Sequence, residues 1–573
     1  MNGGAFAKKV AFALLPPLGV CAAAEIALRA AGVPAPRYVG YPARYWVSSA
    51  EPGKPPGWVR ATPRTFRYAP EPKPLFLRDK PANGLRVFFL GDSLAFGWPY
   101  EIGGSSDWLR VRLVSRHPDR RVEVVNAGNP GWHAAETRVL LQECLERQAD
   151  VVVWMAGNSE FTPENMARLD EELDRRPAAA VRSALLDLRI VTLLGRVAPA
   201  FATRRVFLAE NLASAGIPCH RAPLARVTER FRRSVLGAVA DARAAGARIV
   251  LCTLPRNVRR ASPHTSVFSA ELRDDPERRA RFDEAFTAGE LALASVDGEG
   301  ALAALERARA IDASPAKLHH ALGRALELLG RRDAANAAYR EAVERDGCPT
   351  RVPEAFEDAI RSVAAEERVP LVDLERVFDA ACAEGLAGNE LLTDNAHPNL
   401  EGHELVAAHL IACFERDLGL GGTRPEPPRD RLALDMGFPG YHEYLIARGA
   451  CVSATTGFVR GSGDAEARGH AAASADLVLR ATPEDWEVVA TRGVLDLLDG
   501  RREQGRERLD RALHRDAFVL LNTVVQARTD PAWERLLRAA DIDVDELEAS
   551  IPASARIVIE NRIARARLAA PPP

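Results

Sequence analysis

Five short runs rich in branched and aromatic apolar residues are spaced along this chain: LRVFFLG, RVEVVNAG, DVVVWMAG, ARIVLCTLP and VPLVDL. Helical periodicity fills much of the sequence between them. A strand that is apolar at nearly every position needs cover on both faces, and helices between successive strands provide it. The alternation predicts an α/β domain built on a doubly wound, flavodoxin-like parallel sheet. In such a sheet ligands bind outside the carboxyl ends of the strands. Functional residues are therefore expected where the runs end.

The first run ends in GDS. A tight glycine turn there would lift the Ser93 hydroxyl clear of the backbone and set it at a helix N-terminus. The same three residues also serve as a plain turn, and a serine becomes a nucleophile only with a base in hydrogen-bond reach. DNAHP, shortly before the last helical segment GHELVAAHLIACF, can supply one. An aspartate three residues before a histidine can fold back in one turn, so that Asp394 accepts from His397 Nδ1–H and leaves Nε2 as base. NAGNPG and AGNSEF end the second and third runs with glycines whose N–H groups are candidate oxyanion donors, and the latter adds the Asn158 amide. Each segment alone is a common strand-end turn. Four of them in one sheet point to a shared site.

Other polar residues have plainer readings. Asp92 is read as turn-forming, Glu160 as holding its loop, and His403 as a packing or capping residue. His133 follows Gly131 and is a lesser candidate for lining the site. His319 and His320 fall on a helical segment with no metal pattern around them. Phosphate-cradling GxGxxG and GxxxxGK[ST] motifs are absent from the sequence.

Taken in order, the four segments resemble the SGNH/GDSL family of serine esterases over residues 85 to 418. They are most similar to bacterial membrane-anchored members with the fuller first block GDSLAFGWPY, a third block ending in Glu-Phe, and tetratricopeptide repeats. The resemblance implies an SGNH-type sandwich and hydrolysis of a carboxylic ester through an acyl-enzyme at Ser93, with Asp394 and His397 completing a triad. It implies oxyanion donors from Ser93, Gly131 and the third block, with no cofactor and no metal. One block departs from the pattern. The family's oxyanion asparagine usually stands within G-x-N, whereas counting from Gly157 this chain has Ser159 there and Asn158 just before it. Either Asn158 or Ser159 is expected to fill the position.

Between the fourth and fifth runs lies AKLHHALGRALELLGRRDAANAAYREAVERDG, a helix-turn-helix pattern with small residues where two helices must approach. Gly289 and Gly323, Ala301 and Ala335, Leu305 and Tyr339, and Ala308 and Ala342 are each 34 residues apart, so the segment resembles the tetratricopeptide repeat. A further copy is read in TRGVLDLLDGRREQGRERLDRAL, with Gly493, Gly500, Leu509 and Ala512 equivalent. Stacked hairpins of this kind offer a groove to a protein or peptide partner.

At the N-terminus Lys8 and Lys9 precede VAFALLPPLGVCAAAEIALRAAG, an apolar stretch of membrane-spanning length interrupted by Glu25 and Pro16-Pro17. The lysines would stay inside, placing the catalytic domain outside the cytoplasm on a single anchor in the cell membrane. A secretory signal cleaved after the small residues Ala22-Ala23-Ala24 is the alternative. The expected organisation is an anchor or signal at 1–32 and a Pro- and Gly-rich extended collar at 33–84. The hydrolase domain follows at 85–279 and 348–418, with inserted repeats at 280–347 and a helical, tetratricopeptide-like region at 419–573. A net charge of −2 gives no basic face for nucleic acid. The eight cysteines form no CxxC or zinc pattern and read as small buried apolar residues. The expected substrate is a small acyl ester, an acylated lipid, or an O-acylated envelope glycan. Acyl transfer to an envelope polysaccharide, and a repeat-based scaffold with a weakened hydrolase domain, are the alternative functions.

Overall fold

The computed structural model describes residues 45–48, 58–61, 75–100, 102–161, 223–436, 465–515 and 542–550, with scattered single positions elsewhere. The expected anchor at 1–32 lies, apart from Ala27, outside the described residues. Among the described residues no helix is long and apolar enough to cross a membrane.

The first described elements are three short strands, β1 (Trp46–Ser48), β2 (Trp58–Ala61) and β3 (Leu75–Leu77). They pair antiparallel in the order β1-β2-β3. The described residues of the proline-rich collar thus include a small antiparallel sheet. Aromatic edges fasten it to the body: Trp46 meets Phe76 at 5.0 Å and Phe76 meets Phe88 at 5.6 Å, both T-shaped.

Next come β4 (Gly84–Gly91), α1 (Ser93–Phe96), α2 (Ser105–Arg116), β5 (Arg121–Gly128), α3 (Ala134–Leu145), β6 (Val151–Met155), α4 (Leu224–Ala244) and β7 (Arg248–Cys252). An insertion then follows, a single helical turn at Ala270–Arg273 and four longer helices: α5 (Pro276–Ala294), α6 (Gly298–Ile311), α7 (Ala316–Leu328) and α8 (Arg332–Glu344). The α/β body resumes with α9 (Glu354–Glu367), β8 (Leu371–Val372), α10 (Leu374–Ala381), α11 (Leu400–Leu418) and α12 (Arg429–Met436). Three later helices are α13 (Ala465–Ala481), α14 (Trp486–Leu498) and α15 (Arg502–Arg515).

The five apolar runs are the five strands of one parallel sheet, ordered β5-β4-β6-β7-β8. Every residue of β4 is buried, and so is every residue of β6, as strands flanked on both sides require. Edge strand β5 keeps partly exposed residues along its first half. Two groups of helices flank the sheet, α2 packed with α11, and α4 packed with α3 and α9. The chain goes from β4 to β5 on one side and then crosses to β6 on the other. That reversal makes the carboxyl end of β4 the switch point, where a crevice opens.

At the opposite end of β4 a fully buried Arg86 spends its guanidinium on three acceptors: Glu123 Oε2 at 2.9 Å, the Arg147 carbonyl at 2.5 Å and the Leu77 carbonyl at 2.7 Å. A buried guanidinium is tolerated only when its donors are satisfied in this way.

In the insertion, Asp275 caps α5 and Pro276 opens it, so helix begins four residues before the expected 280. Glycines 34 residues apart make similar contacts. A Cβ on Gly289 would lie 2.6 Å from the Leu305 side chain, and one on Gly323 would lie 2.6 Å from the Tyr339 ring. Gly493 likewise faces Leu509, with the Leu509 nitrogen 3.0 Å from where its Cβ would be. Glycine at these places lets paired helices approach closely. The insertion is closed at its base, where Gly347 N–H donates to the Thr265 carbonyl at 2.9 Å. There Asp346 also accepts from the N–H groups of His264 at 2.6 Å and Thr265 at 2.8 Å.

The α/β body does not stop at the expected 418. Leu420, Leu432 and Met436 belong to its main apolar core, and α12 packs on α2. Cys144, Cys252 and Cys413 are buried in the same core.

Candidate active site

Backbone register assembles the site before any side chain is considered. Gly91 at the end of β4 pairs with Gly128 of β5 and with Met155 of β6, so three strand ends lie level. The loops that follow touch. A Cβ on Gly91 would sit 2.0 Å from the Met155 carbonyl oxygen, and one on Gly128 would sit 2.2 Å from the Phe96 nitrogen. Only glycine permits either approach. Asn126 locks the second loop in place, donating to the Phe96 carbonyl at 2.9 Å and to Ser106 Oγ at 3.0 Å.

Asp92 sits at the centre of this junction, wholly buried. Its Oδ1 accepts from Leu94 N–H at 3.1 Å, which caps α1. Its Oδ2 accepts from Gly157 N–H at 3.3 Å and Ser159 N–H at 3.2 Å. Burial raises its pKa, against the pull of these donors and of His397. Asp92 therefore joins the first loop to the third.

Ser93 is the first residue of α1. Its Oγ lies 2.7 Å from His397 Nε2, and His397 Nδ1 lies 2.7 Å from Asp394 Oδ2. The second oxygen of Asp394 accepts from the N–H groups of Ala396 at 3.0 Å and His397 at 2.9 Å. One carboxylate thus shapes its own loop and orients the imidazole. With Nδ1–H donating to Asp394, Nε2 accepts from the serine hydroxyl. Burial opposes a charge on His397, but the Asp394 carboxylate, with a smaller contribution from Asp92, outweighs it and holds the pKa above the ordinary histidine value.

The loop is closed behind the histidine. Thr393 N–H and Oγ1–H both donate to the His397 carbonyl, at 2.8 and 3.1 Å. Asn399 caps α11 by accepting from Gly402 N–H at 2.9 Å. One turn on, His403 is fully buried, with Nδ1 2.8 Å from Ser105 Oγ. Burial pushes its pKa down to about 3, so it packs as a neutral ring.

The donor candidates divide clearly. The Asn158 side-chain amide is buried and finds no hydrogen-bond partner among the described residues at either end. Ser159 gives its N–H to Asp92. Of the two candidates for the third donor, Asn158 has the uncommitted group. Gly131 has φ +81°, where glycine is favoured, and open space stands where its Cβ would be. Glu160 joins the second and third loops, its Oε1 accepting from Ala134 N–H at 2.6 Å. His133 is buried and caps α3 in a reciprocal box with Glu136, so its Nδ1 serves the backbone. His319 bonds the Ala313 carbonyl at 2.7 Å within the insertion, far along the chain from these loops. Among the described residues no group of three or more His, Cys, Asp and Glu side chains is arranged to hold a metal ion.

Two contributors were not singled out by sequence: Asn126, at the start of NAGNPG, and Asn257, in the loop after β7. The signal for Asn257 was there in principle. It lies just past the carboxyl end of the fourth run, as the other loops do past theirs.

A hydroxyl, an imidazole and a carboxylate in this order, beside an uncommitted amide, can form and break an acyl bond at the hydroxyl oxygen. No family model and no curated protein matches the chain. Among solved structures, it is similar to LAE5, an alpha/beta hydrolase enzyme from the metagenome of Lake Arreo, Spain, with 15% identity and a TM-score of 0.27 over 61% of this chain and 99% of that one. It is also similar to a catalytic mutant of Axe2, an acetylxylan esterase from Geobacillus stearothermophilus, with 12% identity and a TM-score of 0.28 over 59% and 96%. A third is TesA, with 13% identity and a TM-score of 0.26 over 58% and 98%.

Proposed function

We propose that this chain is a serine hydrolase of the SGNH/GDSL type that cleaves carboxylic esters through an acyl-enzyme on Ser93. The observation that carries the reading is the unbroken chain of contacts from Ser93 Oγ through His397 to Asp394, 2.7 Å at each step.

In this reading His397 Nε2 takes the Ser93 proton as Oγ attacks the acyl carbonyl carbon. The carbonyl π electrons move to its oxygen, giving a tetrahedral oxyanion. The Asn158 amide and the N–H groups of Ser93 and Gly131 are the proposed donors to that oxyanion. His397, now protonated and held by Asp394, gives its proton to the leaving alcohol oxygen as the carbon–oxygen bond breaks. Water then repeats the sequence on the acyl-enzyme, releasing the acid and restoring the Ser93 hydroxyl.

The wider reading is an extracytoplasmic enzyme anchored by residues 1–32, acting on O-acyl groups of envelope glycans or lipids, with tetratricopeptide-type hairpins that receive a protein or peptide. The apolar N-terminal sequence and the 34-residue spacing support it. The test of the core claim is chemical. The wild-type protein should hydrolyse a short-chain aryl ester and take up a fluorophosphonate, and Ser93→Ala should abolish both. A wild-type protein that neither labels nor cleaves any ester would sink the reading.

A further inference from the structure

We infer that Asn257 is a positioning residue for the Asp394–His397 pair, acting through the backbone of the loop that carries both; this rests on the acyl-enzyme reading of the site. Asn257 follows β7 and is 1% exposed. All of its polar groups are engaged. Its Nδ2 donates to the Asp394 carbonyl at 2.9 Å and to Asn389 Oδ1 at 2.8 Å. Its N–H donates to the Asn395 carbonyl at 2.9 Å. Its Oδ1 accepts from Arg260 N–H at 2.9 Å, and its carbonyl accepts from Arg351 Nη1 at 2.8 Å.

The loop it holds has little structure of its own. Between α10 and α11 there is no helix or strand among the described residues; a bridge of Leu392 with Pro398 and the local turn bonds around Asp394 fold the segment. Asp394 grips that loop and His397 from within. Asn257 grips the carbonyls of residues 394 and 395 from a separate strand end. A catalytic pair held at 2.7 Å tolerates about half an ångström of drift, so an outside anchor on the aspartate's own peptide decides whether the carboxylate stays aimed at Nδ1. The Arg260 N–H and the Asp394 carbonyl, backbone groups of fixed polarity, set the orientation of the Asn257 amide.

A purely structural residue would lower stability without changing the imidazole's titration. The titratable groups facing the pair are Asp92 at the head of α1, Tyr100 after α1, His403 on α11, and His470 on α13, whose ring lies against Thr393 and Asp394. Loosening Asp394 alone removes the largest influence that favours the charged ring, and burial then dominates. The acid limb of kcat/KM would therefore move to lower pH.

The experiment uses the full chain and an aryl ester. Asn257→Ala should lower kcat about 10- to 100-fold with KM changed less than about twofold. It should also shift the acid limb down by about half a pH unit or more. Asn257→Leu keeps the side-chain volume and removes the donor without adding charge, and should give the same shift should the alanine variant fold poorly. Asn389→Ala, which leaves the bond to Asp394, should keep the wild-type acid limb. Wild-type kcat and acid limb in both Asn257 variants, or a fall in kcat with the acid limb unmoved, would overturn the inference. An inactive wild-type protein is a different outcome, because it removes the acyl-enzyme reading itself.

Discussion

Glu160 Oε1 accepts from the N–H of Ala134 at 2.6 Å, and this one bond makes the loop bearing Gly131 and the loop bearing Asn158 a single unit. The first helical residue of α3 is thereby fixed to the loop after β6, two positions from Asn158. Hydrogen bonds to a charged acceptor contribute about 1.5–3 kcal/mol, and a buried donor left without one costs a similar amount. Glu160→Ala should lower both the melting temperature and kcat, the latter about tenfold. Glu160→Gln, which keeps an acceptor oxygen, should lie between the two. Steady-state kinetics with thermal melts would check the order.

Asn158 and Ser159 are separable by the same kinetics. Loss of one oxyanion donor costs about 10²- to 10³-fold in kcat. Asn158→Ala should show that loss with little change in KM. Ser159→Ala leaves its N–H on Asp92 and should cost less than about tenfold. The reverse order would assign the third donor to Ser159.

The base works only when neutral. Because Asp394 and Asp92 hold the His397 pKa above its ordinary value near 6.5, activity should be full above that raised pKa and lost as pH falls through it. Asp394→Asn removes the dominant attraction. It should lower kcat by about 10⁴-fold and move the remaining acid limb downward. A kcat/KM profile across neutral pH for both proteins would check the direction.

In the insertion, Gly323→Ala places a methyl group 2.6 Å from the Tyr339 ring. Overpacking of this kind costs about 1–3 kcal/mol. The melting transition of the insertion should fall, while fluorophosphonate labelling of Ser93 at low temperature should proceed at the wild-type rate.

Much of this architecture could be read before the structure was seen, for physical reasons. VFFL and VVVW are apolar at every position because β4 and β6 are covered on both faces, so their burial is written in composition. The loops of interest follow from strand ends, and strand ends follow from the runs. The collar was harder to read. Its strands are three or four residues long, and their pairing depends on Trp46 and Phe76 reaching Phe88. The chain past 418 was harder to read because α12 is short and follows the Gly- and Pro-rich GGTRPEPP, and only its docking on α2 reveals that Leu432 and Met436 are core. Asn257 was marked only by its place past a strand end, because its partner at Asp394 stands 137 residues away. Between Asn158 and Ser159 the choice needed a backbone hydrogen bond, which no residue spacing encodes.

The closed base of the insertion has an evolutionary corollary. The chain departs at Thr265 and returns at Gly347 through residues hydrogen-bonded to each other, so the length of the excursion between them is not set by the α/β body at this point. The entropy of joining two ends grows only logarithmically with the length between them. Whole hairpins can therefore be gained or shed at this point for about 0.6 kcal/mol per doubling, with β8 still receiving the chain at the same address. The inserted helices and the sheet they leave and rejoin are free to diverge at different rates.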